Sequence, residues 1–497
     1  MKEKIVNLIA NHVEGMTAEE IATFIEIPPK QELGDYAFPC FRLAKTMHKA
    51  PNLIAADIKE AIGDIDFLDK IDVQGAYLNF FVKKNIFVQT MIESALKDNF
   101  GGSDEGADKV ICIDYSSPNV AKNFHVGHLR TTIIGNSLYK IYSKLGYKVI
   151  RINHLGDWGT QFGKLIVAYK NWGTKEAVEK DGVAELMRLY VKFHEEADQN
   201  PELVDEARAW FSKMEHGDEE ALSIWQWFKD ISLVEYKRTY DLLGMDFDYY
   251  LGESFYRDKC QEVVDQLTNA NLLKESEGAM IVDLSDYDMA PCIVTKKDGS
   301  SIYATRDLAA IFYRKNTYHF TKCLYVTGQE QKLHFAQVFK VVELLGNDWA
   351  KDSLVHIPYG LVSLEGAKLS TRSGNIIYAE DILHDAIKKS FEIISEKSPN
   401  LPDKEEVAKI VGVGSVLFND LYNQRIKDVS FSWDKVLNFD GETGPYVQYT
   451  HARCSSVVRL AENFDPAKPV DYSTISEPDA MNLLKEISRF PKVVSDA

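Results

Sequence analysis

Residues 116–131, "SSPNVAKNFHVGHLRT", place two histidines three positions apart, directly after a segment rich in strand-forming residues. Residues at i and i+3 share a helix face, so His125 and His128 can point the same way from a first helical turn. A helix start also offers free backbone N–H groups and a partial positive charge. Gly127 lies between them and leaves room for a flat ring. The stretch therefore indicates a triphosphate site. Two histidines that only cap the helix would give the same sequence pattern.

The elements around this stretch form a strand–helix–strand unit. Residues 110–117, "VICIDYSS", are apolar on both faces, which is typical of a buried parallel strand. Residues 127–146 predict a helix that stops at Gly146, and residues 147–156 predict a second strand. The apolar face of that helix consists of Leu129, Ile133, Ile134, Leu138, Ile141 and Leu145. This βαβ unit predicts an α/β, Rossmann-like, doubly wound parallel sheet.

Composition limits the class of protein. The chain has 497 residues, which suggests about three domains, and a formal net charge of −18, which argues against a general nucleic-acid coat protein. A polynucleotide partner can still bind to local basic patches. Six scattered cysteines without a CxxC pair, no bilayer-spanning apolar run and no signal-peptide layout predict a protein of the reducing cytoplasm without membrane contact.

Three domains are expected along the chain. Residues 1–105 read as a compact α+β unit, and a Gly- and Asp-rich linker follows. Residues 106–380 would hold the parallel sheet, with a helical, charged insertion around 165–290 between its two halves. Strand-like runs that we assign to the second half are "AMIVDL", "CIVTKK", "CLYVTG" and "SLVHIPYGLVS". Residues 381–497 predict an all-α domain.

A second cationic stretch lies far downstream, at "EGAKLSTRSGN", residues 365–375. A glycine-flanked loop that carries Lys368 and Arg372 can close over a triphosphate and open again. Taken alone, the same loop is more often a solvated surface turn. Its pairing with the histidine stretch favours the phosphate-binding interpretation.

Together these stretches resemble the class I aminoacyl-tRNA synthetases, and the long form of residues 116–131 resembles the arginyl-tRNA synthetases. HVGH is similar to the HIGH motif, and Lys368, Ser370 and Arg372 match the KMSKS loop, which in that family clamps the pyrophosphate. Thr371 stands where KMSKS has its second lysine. Many arginyl-tRNA synthetases share this departure and carry a lysine just before HIGH, where this chain has Lys122, so the resemblance implies that Lys122 supplies the missing charge.

The resemblance also implies an arginine pocket. "SIYATRDLAA" holds Tyr303 and Asp307, which share a helix face, and a carboxylate can bind a planar guanidinium through paired hydrogen bonds. The implied arginine-binding residues are Asp114, Ser117, Asn119, His128, Tyr303, Asp307 and Gln331. Without the resemblance, Asp307 would read as a helix carboxylate paired with Arg306 or Arg314, and Tyr303 as a core aromatic.

Similarity to the family extends over nearly the whole chain. It implies an N-terminal domain that contacts the tRNA elbow and a C-terminal anticodon-binding domain, which we expect to be incomplete because the family's domain continues for further helices. Tyr446 and Tyr449 are candidates for stacking on unpaired tRNA bases, and packing within the helical bundle is an equally good explanation of each.

The implied function is that of an arginine–tRNA ligase, which forms arginyl-adenylate from ATP and arginine and transfers arginine to tRNA(Arg). We expect Mg²⁺ to enter with ATP, no tightly bound metal, and a monomer. Two alternatives stay open. A different HxGH nucleotidylyltransferase would be shorter and would lack the Tyr303/Asp307 element. A non-catalytic tRNA-binding paralogue would not need intact HVGH and KLSTR stretches.

Overall fold

The computed structural model describes residues 1–296, 302–364, 378–438, 441–461 and 468–497. Within it the chain divides into two compact units, Met1–Gly102 with Asn463–Ala497, and Ser103–Glu462. Among the helices in the described ranges, none is both long enough and apolar enough to cross a membrane.

The first unit begins with a small α+β arrangement. Its elements are α1 (Lys2–Ala10), α2 (Ala18–Phe24), β1 (Tyr36–Pro39), α3 (Pro51–Ile62), β2 (Leu68–Gln74), β3 (Tyr77–Val82) and α4 (Lys84–Ala95). The three strands form an antiparallel sheet in the order β1-β3-β2. Phe38, Leu78 and Phe80 of the sheet are fully buried with Ile54 and Ile58 of α3. This agrees with the α+β expectation for the N-terminal region.

The second unit contains most of the chain. Its elements are β4 (Val110–Asp114), α5 (Val126–Lys144), β5 (Lys148–Asn153), α6 (Thr160–Trp172), α7 (Lys175–Ala197), α8 (Glu202–Glu215), α9 (Glu219–Leu243), β6 (Tyr249–Tyr250), α10 (Glu253–Tyr256), α11 (Cys260–Asn269), β7 (Leu273–Ser276), β8 (Ala279–Val282), β9 (Cys292–Thr295), α12 (Tyr303–Tyr318), β10 (Lys322–Gly328), α13 (Lys332–Leu344), α14 (Ala350–Ser353), β11 (Leu354–Tyr359), β12 (Val362–Leu364), α15 (Ala379–Lys397), α16 (Lys404–Tyr422), β13 (Val429–Phe431), α17 (Trp433–Val436) and α18 (Gly444–Leu460). The last helix, α19 (Pro478–Asp496), belongs to the first unit.

The central sheet of the second unit is parallel throughout, with strand order β11-β10-β4-β5-β6. The chain leaves β4 through α5 to β5 on one side, and later returns to β10 on the other side. This is the doubly wound arrangement that the sequence predicts, and β4 lies at the point where the strand order reverses. Ligands of such sheets bind at the carboxyl ends of the strands beside that point.

The helix after β4 follows its predicted pattern. Leu129, Ile133 and Ile134 are buried against the sheet. The helix ends at Lys144, and Gly146 follows with φ +87°, the left-handed conformation that glycine adopts without strain. The predicted stop at Gly146 is therefore confirmed.

Two of the predicted strands belong to a different sheet. The stretches "AMIVDL" and "CIVTKK" contain β8 and β9, but these pair with β7 in a separate antiparallel sheet. In the part of the chain described, the later runs supply β10 and β11 to the central sheet. The placement of β8 and β9 in the central sheet was wrong, because β8 is only partly buried whereas β10 is buried over most of its length.

Helices dominate the region between the two halves of the sheet and the region after it. α6 to α9 cover 160–243, and α7 is kinked at Gly182. In the later region α15, α16 and α18 pack together. At Gly412 of α16 a Cβ atom would lie 2.7 Å from the backbone of Ala386 on α15, so this close crossing requires glycine.

Candidate active site

The loop between β4 and α5 is held in a fixed shape by the helical region. Ser116, Ser117 and Ala121 have positive φ angles, an unfavourable conformation for residues with a Cβ. The buried hydroxyl of Tyr236 on α9 lies 2.7 Å from the carbonyl oxygens of both Asn119 and Lys122 and shares its proton between them. α9 therefore fixes the backbone position of Lys122.

His125 and His128 form a stacked pair at the start of α5. Their ring centroids are 3.8 Å apart. The Gly127 N–H donates to Nδ1 of His125 over 3.1 Å, and the His125 N–H donates to Nδ1 of His128 over 3.3 Å. A Cβ at Gly127 would lie 2.9 Å from Cε1 of His125, so glycine makes room for this ring. Because each Nδ1 accepts a hydrogen bond, the proton of each neutral ring is on Nε2.

The electrostatics of the pair keep both rings neutral. Burial lowers the pKa of His125, and Lys122 lowers it further. The pKa of His128 is well below its usual range, through burial first and then through His125 and Lys122. At neutral pH each ring thus offers an Nε2–H donor, as phosphate oxygens require.

Lys122 lies close enough to this pair to act on its charge. Its ammonium is 5.7 Å from the ring centroid of Tyr190 on α7, and burial lowers its pKa from the ordinary lysine value. A partly buried ammonium over an aromatic face is weakly solvated, so its charge acts strongly on a nearby anion. This is the environment expected of a cation that stabilises phosphate.

Asp114, at the end of β4, belongs to a buried polar group. Arg314 Nη2 lies 2.8 Å from Asp114 Oδ2 and donates over 3.1 Å to Nδ1 of His154. The Ser117 hydroxyl donates to Asp114 Oδ1 over 2.9 Å. Burial lowers the pKa of His154, whereas Asp114 and Asp307 act in the opposite direction. The charges of both carboxylates therefore reach His154.

Asp307 forms neither of the ion pairs that an ordinary helix carboxylate would form here. Arg314 pairs with Asp114, and Arg306 lies beside Glu253. Asp307 Oδ2 instead lies 2.6 Å from Nε2 of His334 on α13.

Tyr303, one turn before Asp307 on α12, is 64% exposed, so it is not a core aromatic. Burial raises the pKa of its hydroxyl, and Glu253 contributes to this shift. Tyr303 therefore lies within electrostatic reach of Glu253, as Asp307 does.

Glu253 is a buried carboxyl group that the sequence analysis missed. Its Oε2 accepts no hydrogen bond, and Arg306 Nε lies 3.5 Å away. Burial raises the pKa of Glu253 to about 8, and the nearby charges of Asp307 and Asp157 contribute to this rise. Within the described residues, Arg306 is thus the ion-pair partner of this buried acid, whose Oε2 has no hydrogen-bond donor.

Asp157 fixes the helix that begins with Glu253. It is fully buried, and its carboxylate accepts from the backbone and hydroxyl of Ser254 and from Lys229, at 2.8, 2.7 and 2.6 Å. A Cβ at Gly252 would lie 2.4 Å from this carboxylate, so the approach requires glycine. The stretches "GDWG" and "LGES" contain Asp157 and Glu253, and buried acids next to glycines were the signal available in the sequence.

Arg130, which the sequence analysis also missed, connects α5 to the start of β12, the strand before the second cationic stretch. Its guanidinium is 1% exposed and donates to the carbonyl oxygens of Gly360, Leu361, Arg425 and Lys427 at 2.9–3.3 Å. β12 begins at the next residue, Val362. Arg130 therefore connects α5, which begins with the two histidines, to the residues directly before β12.

The other candidate residues have different placements. Gln331 precedes α13 and is exposed, and Asn119 is exposed in the loop that Tyr236 holds. Tyr446 and Tyr449, on α18, are 49% and 54% exposed, so about half of each side chain is accessible. Lys368, Ser370, Thr371 and Arg372 lie outside the described residues. Within the described ranges, no cluster of three His, Cys, Asp or Glu side chains has an arrangement that could hold a metal ion.

Comparison with known proteins identifies the family. Residues 91–433 match the family model described as "tRNA synthetases class I (R), catalytic domain". The chain belongs to the arginyl-tRNA synthetases. Residues 2–82 match the arginyl-tRNA synthetase N-terminal domain, and residues 447–497 match the DALR anticodon-binding domain.

Individual relatives agree over the full chain. The chain is 56% identical to the arginine–tRNA ligase of Alkaliphilus metalliredigens, over all of this chain and 88% of that protein. It is 55% identical to the Clostridioides difficile enzyme, over 99% of this chain and 87% of that protein. The solved arginyl-tRNA synthetase of Thermus thermophilus shares the fold, with a TM-score of 0.81 at 23% identity over 100% of this chain and 87% of that one. The enzyme is an arginine–tRNA ligase, and ATP is a substrate.

Proposed function

We propose that ATP, as its magnesium complex, binds over the start of α5. His125 and His128 would donate their Nε2–H groups to phosphate oxygens, since both Nδ1 atoms already accept backbone N–H groups. Lys122 would face the leaving pyrophosphate from the preceding loop. Burial is the main cause of the lowered pKa values of both histidines, and the charge of Lys122 lowers them further, which supports this arrangement.

Arginine would bind with its guanidinium toward Asp307, Glu253 and Tyr303, which we call the acidic pocket, and with Gln331 at the edge. Within the described part of the chain, Oε2 of Glu253 accepts no hydrogen bond and Asp307 has no arginine or lysine partner, and both observations support this assignment. Two carboxyl groups suit the five N–H donors of a guanidinium.

The α-amino group would lie near Ser117, Asn119 and Asp114, with His128 next to the substrate carboxylate. Asp114 acts partly through Arg314, because that ion pair already holds one of its oxygens. The fixed shape of the loop, which α9 imposes through Tyr236, would keep these side chains in position.

The reaction follows from this placement. The substrate carboxylate attacks the α-phosphorus of ATP, the bond to the bridging oxygen breaks, and pyrophosphate leaves with the electron pair. A ribose hydroxyl of the terminal tRNA adenosine then attacks the activated carbonyl carbon, and AMP leaves. The first step depends on positioning and on charge stabilisation by Lys122, His125 and His128.

The remaining assignments extend this proposal. Lys368, Ser370 and Arg372 would close over the pyrophosphate, and Arg130 would anchor Gly360 and Leu361, which precede β12, to α5. Residues 1–105 would contact the tRNA elbow, 106–380 would form the catalytic domain with an insertion around 165–290, and 381–497 would recognise the anticodon, with bases stacked on Tyr446 and Tyr449. The enzyme would work as a monomer in the cytoplasm, where scattered cysteines stay reduced.

The stacked histidine pair carries the proposal, and variants of His128 test it. His128→Asn keeps an acceptor near the position of Nδ1 but removes the Nε2–H donor. We expect this variant to fold with near-normal stability and to lose about 10²-fold or more in the rate of adenylate formation. His128→Gln, whose amide N–H reaches toward the Nε2 position, should retain more activity. Equal activity of the Asn variant and the unmodified enzyme would contradict the phosphate-binding role.

A further inference from the structure

The carboxylate of Asp307 is held by an imidazole from the neighbouring helix. Nε2 of His334, in the first turn of α13, lies 2.6 Å from Oδ2, and both side chains are partly buried. Arg306 and Arg314, which are close in sequence, pair with other carboxylates. The described residues thus provide an imidazole partner that occupies one oxygen of Asp307.

The ring of His334 is supported in turn by a column of side chains. It packs edge-on against Phe335, with ring centroids 5.3 Å apart. Phe335 stacks on His356 at 5.0 Å with an interplanar angle of 24°. Nε2 of His356 lies 2.9 Å from the Thr327 hydroxyl on β10. These packed rings therefore connect His334 to the central sheet.

The charge of Asp307 acts on two other titratable groups of the candidate site. Its charge raises the pKa of Glu253 and acts in the same direction on His154. A carboxylate that is anchored at Oδ2 has a restricted orientation, so the lone pairs of the remaining oxygen have a defined direction.

We propose that His334 is a positioning residue for arginine specificity, which orients Asp307 so that its carboxylate meets the planar guanidinium edge-on. This inference rests on the proposed role of Asp307. A guanidinium is a rigid planar fork and needs a carboxylate of fixed orientation, whereas the lysine ammonium is a point charge that a freely rotating carboxylate binds almost equally well. His334 therefore contributes to the discrimination between arginine and lysine as well as to affinity.

The test measures arginine and lysine binding to the whole enzyme. We expect His334→Ala to weaken arginine binding about tenfold to a hundredfold, the range of one charge-assisted hydrogen bond, while lysine binding changes much less. The KM for arginine should rise, with little change in kcat or in the KM for ATP. His334→Gln, which keeps an N–H donor at a similar reach, should recover most of the arginine affinity.

Two further variants separate this inference from its premise. His384→Ala removes the histidine of a His384–Glu380 pair on α15 and should leave arginine binding unchanged. In an Asp307→Ala background, His334→Ala should add no further loss of arginine affinity. If Asp307→Ala weakens arginine binding and His334→Ala does not, the positioning role is wrong and the pocket assignment stands. If Asp307→Ala has no effect on arginine binding, the pocket assignment itself fails.

Discussion

The imidazole rings of His125 and His128 stack with centroids 3.8 Å apart, and the backbone N–H of His125 donates to Nδ1 of His128. The first residue of the pair thus binds the second through both its ring and its backbone. A protonated imidazole has no acceptor nitrogen, so protonation would break these bonds. The arrangement depends on two neutral rings, and it leaves both Nε2–H groups for a ligand.

This dependence predicts how stability changes with pH. The folded-state pKa of His128 lies below the unfolded value of about 6.5, so its contribution to stability is complete above pH 6.5 and is lost as the pH falls below it. Between pH 7.5 and 5.5 we expect the enzyme to lose about 1 kcal/mol more unfolding free energy than His128→Asn. Urea unfolding at the two pH values measures this. Equal losses would show that His128 takes up a proton in the folded state as readily as in the unfolded chain.

Lys122 should act on the rate and not on ATP affinity. If its charge stabilises the leaving pyrophosphate, Lys122→Ala should lower kcat about 10²- to 10³-fold with little change in the KM for ATP. The control is Lys192→Ala, because Lys192 on α7 also lies over an aromatic ring, that of Trp172 at 5.1 Å. Steady-state kinetics of both variants check the assignment. Normal turnover by Lys122→Ala would show that this charge has no part in the chemical step.

Glu253 should release a proton when arginine binds. Its pKa of about 8 means that the free enzyme holds this carboxyl mostly protonated at pH 7. A guanidinium beside it favours the charged form, so we expect release of nearly one proton and tighter arginine binding as the pH rises from 6 to 8. Calorimetry of arginine binding in buffers of different ionisation enthalpy counts the proton. If Glu253→Gln releases the same number of protons on arginine binding, the proton comes from another group.

Asp307→Ala should weaken arginine binding strongly while ATP binding survives. Removal of one partner from a partly buried charged pair costs about 3–5 kcal/mol, which corresponds to more than a hundredfold in affinity. Calorimetric titration with each substrate separates the two effects. Asp352→Ala, an exposed aspartate on α14, provides the matched control. Normal arginine affinity in Asp307→Ala would remove this residue from the pocket.

Local patterns in the sequence predicted the elements that carry the proposed phosphate site. The apolar run of β4, the spacing of Leu129, Ile133 and Ile134, and the stop at Gly146 each depend on neighbours in the chain, so periodicity suffices to read them. Periodicity does not show which other strand a given strand pairs with. For that reason β8 and β9 could be recognised as strands but were placed in the wrong sheet.

The proposed arginine pocket was only partly visible in the sequence. Tyr303 and Asp307 came from the family resemblance, whereas Glu253 and His334 went unnoticed. Their roles depend on contacts between distant segments, such as the 2.6 Å approach of His334 to Asp307 across 27 positions. No spacing rule within one element could reveal such a pair.

Arginine-dependent ATP–pyrophosphate exchange, with tRNA(Arg) present, tests the central claim most directly. The account predicts exchange that needs arginine, is not supported by lysine, and falls about a hundredfold or more in both Lys122→Ala and Asp307→Ala. Lys122→Ala should lose exchange even at saturating arginine, because its defect is in the chemical step. Exchange that proceeds without arginine, or that survives in both variants, would contradict the account.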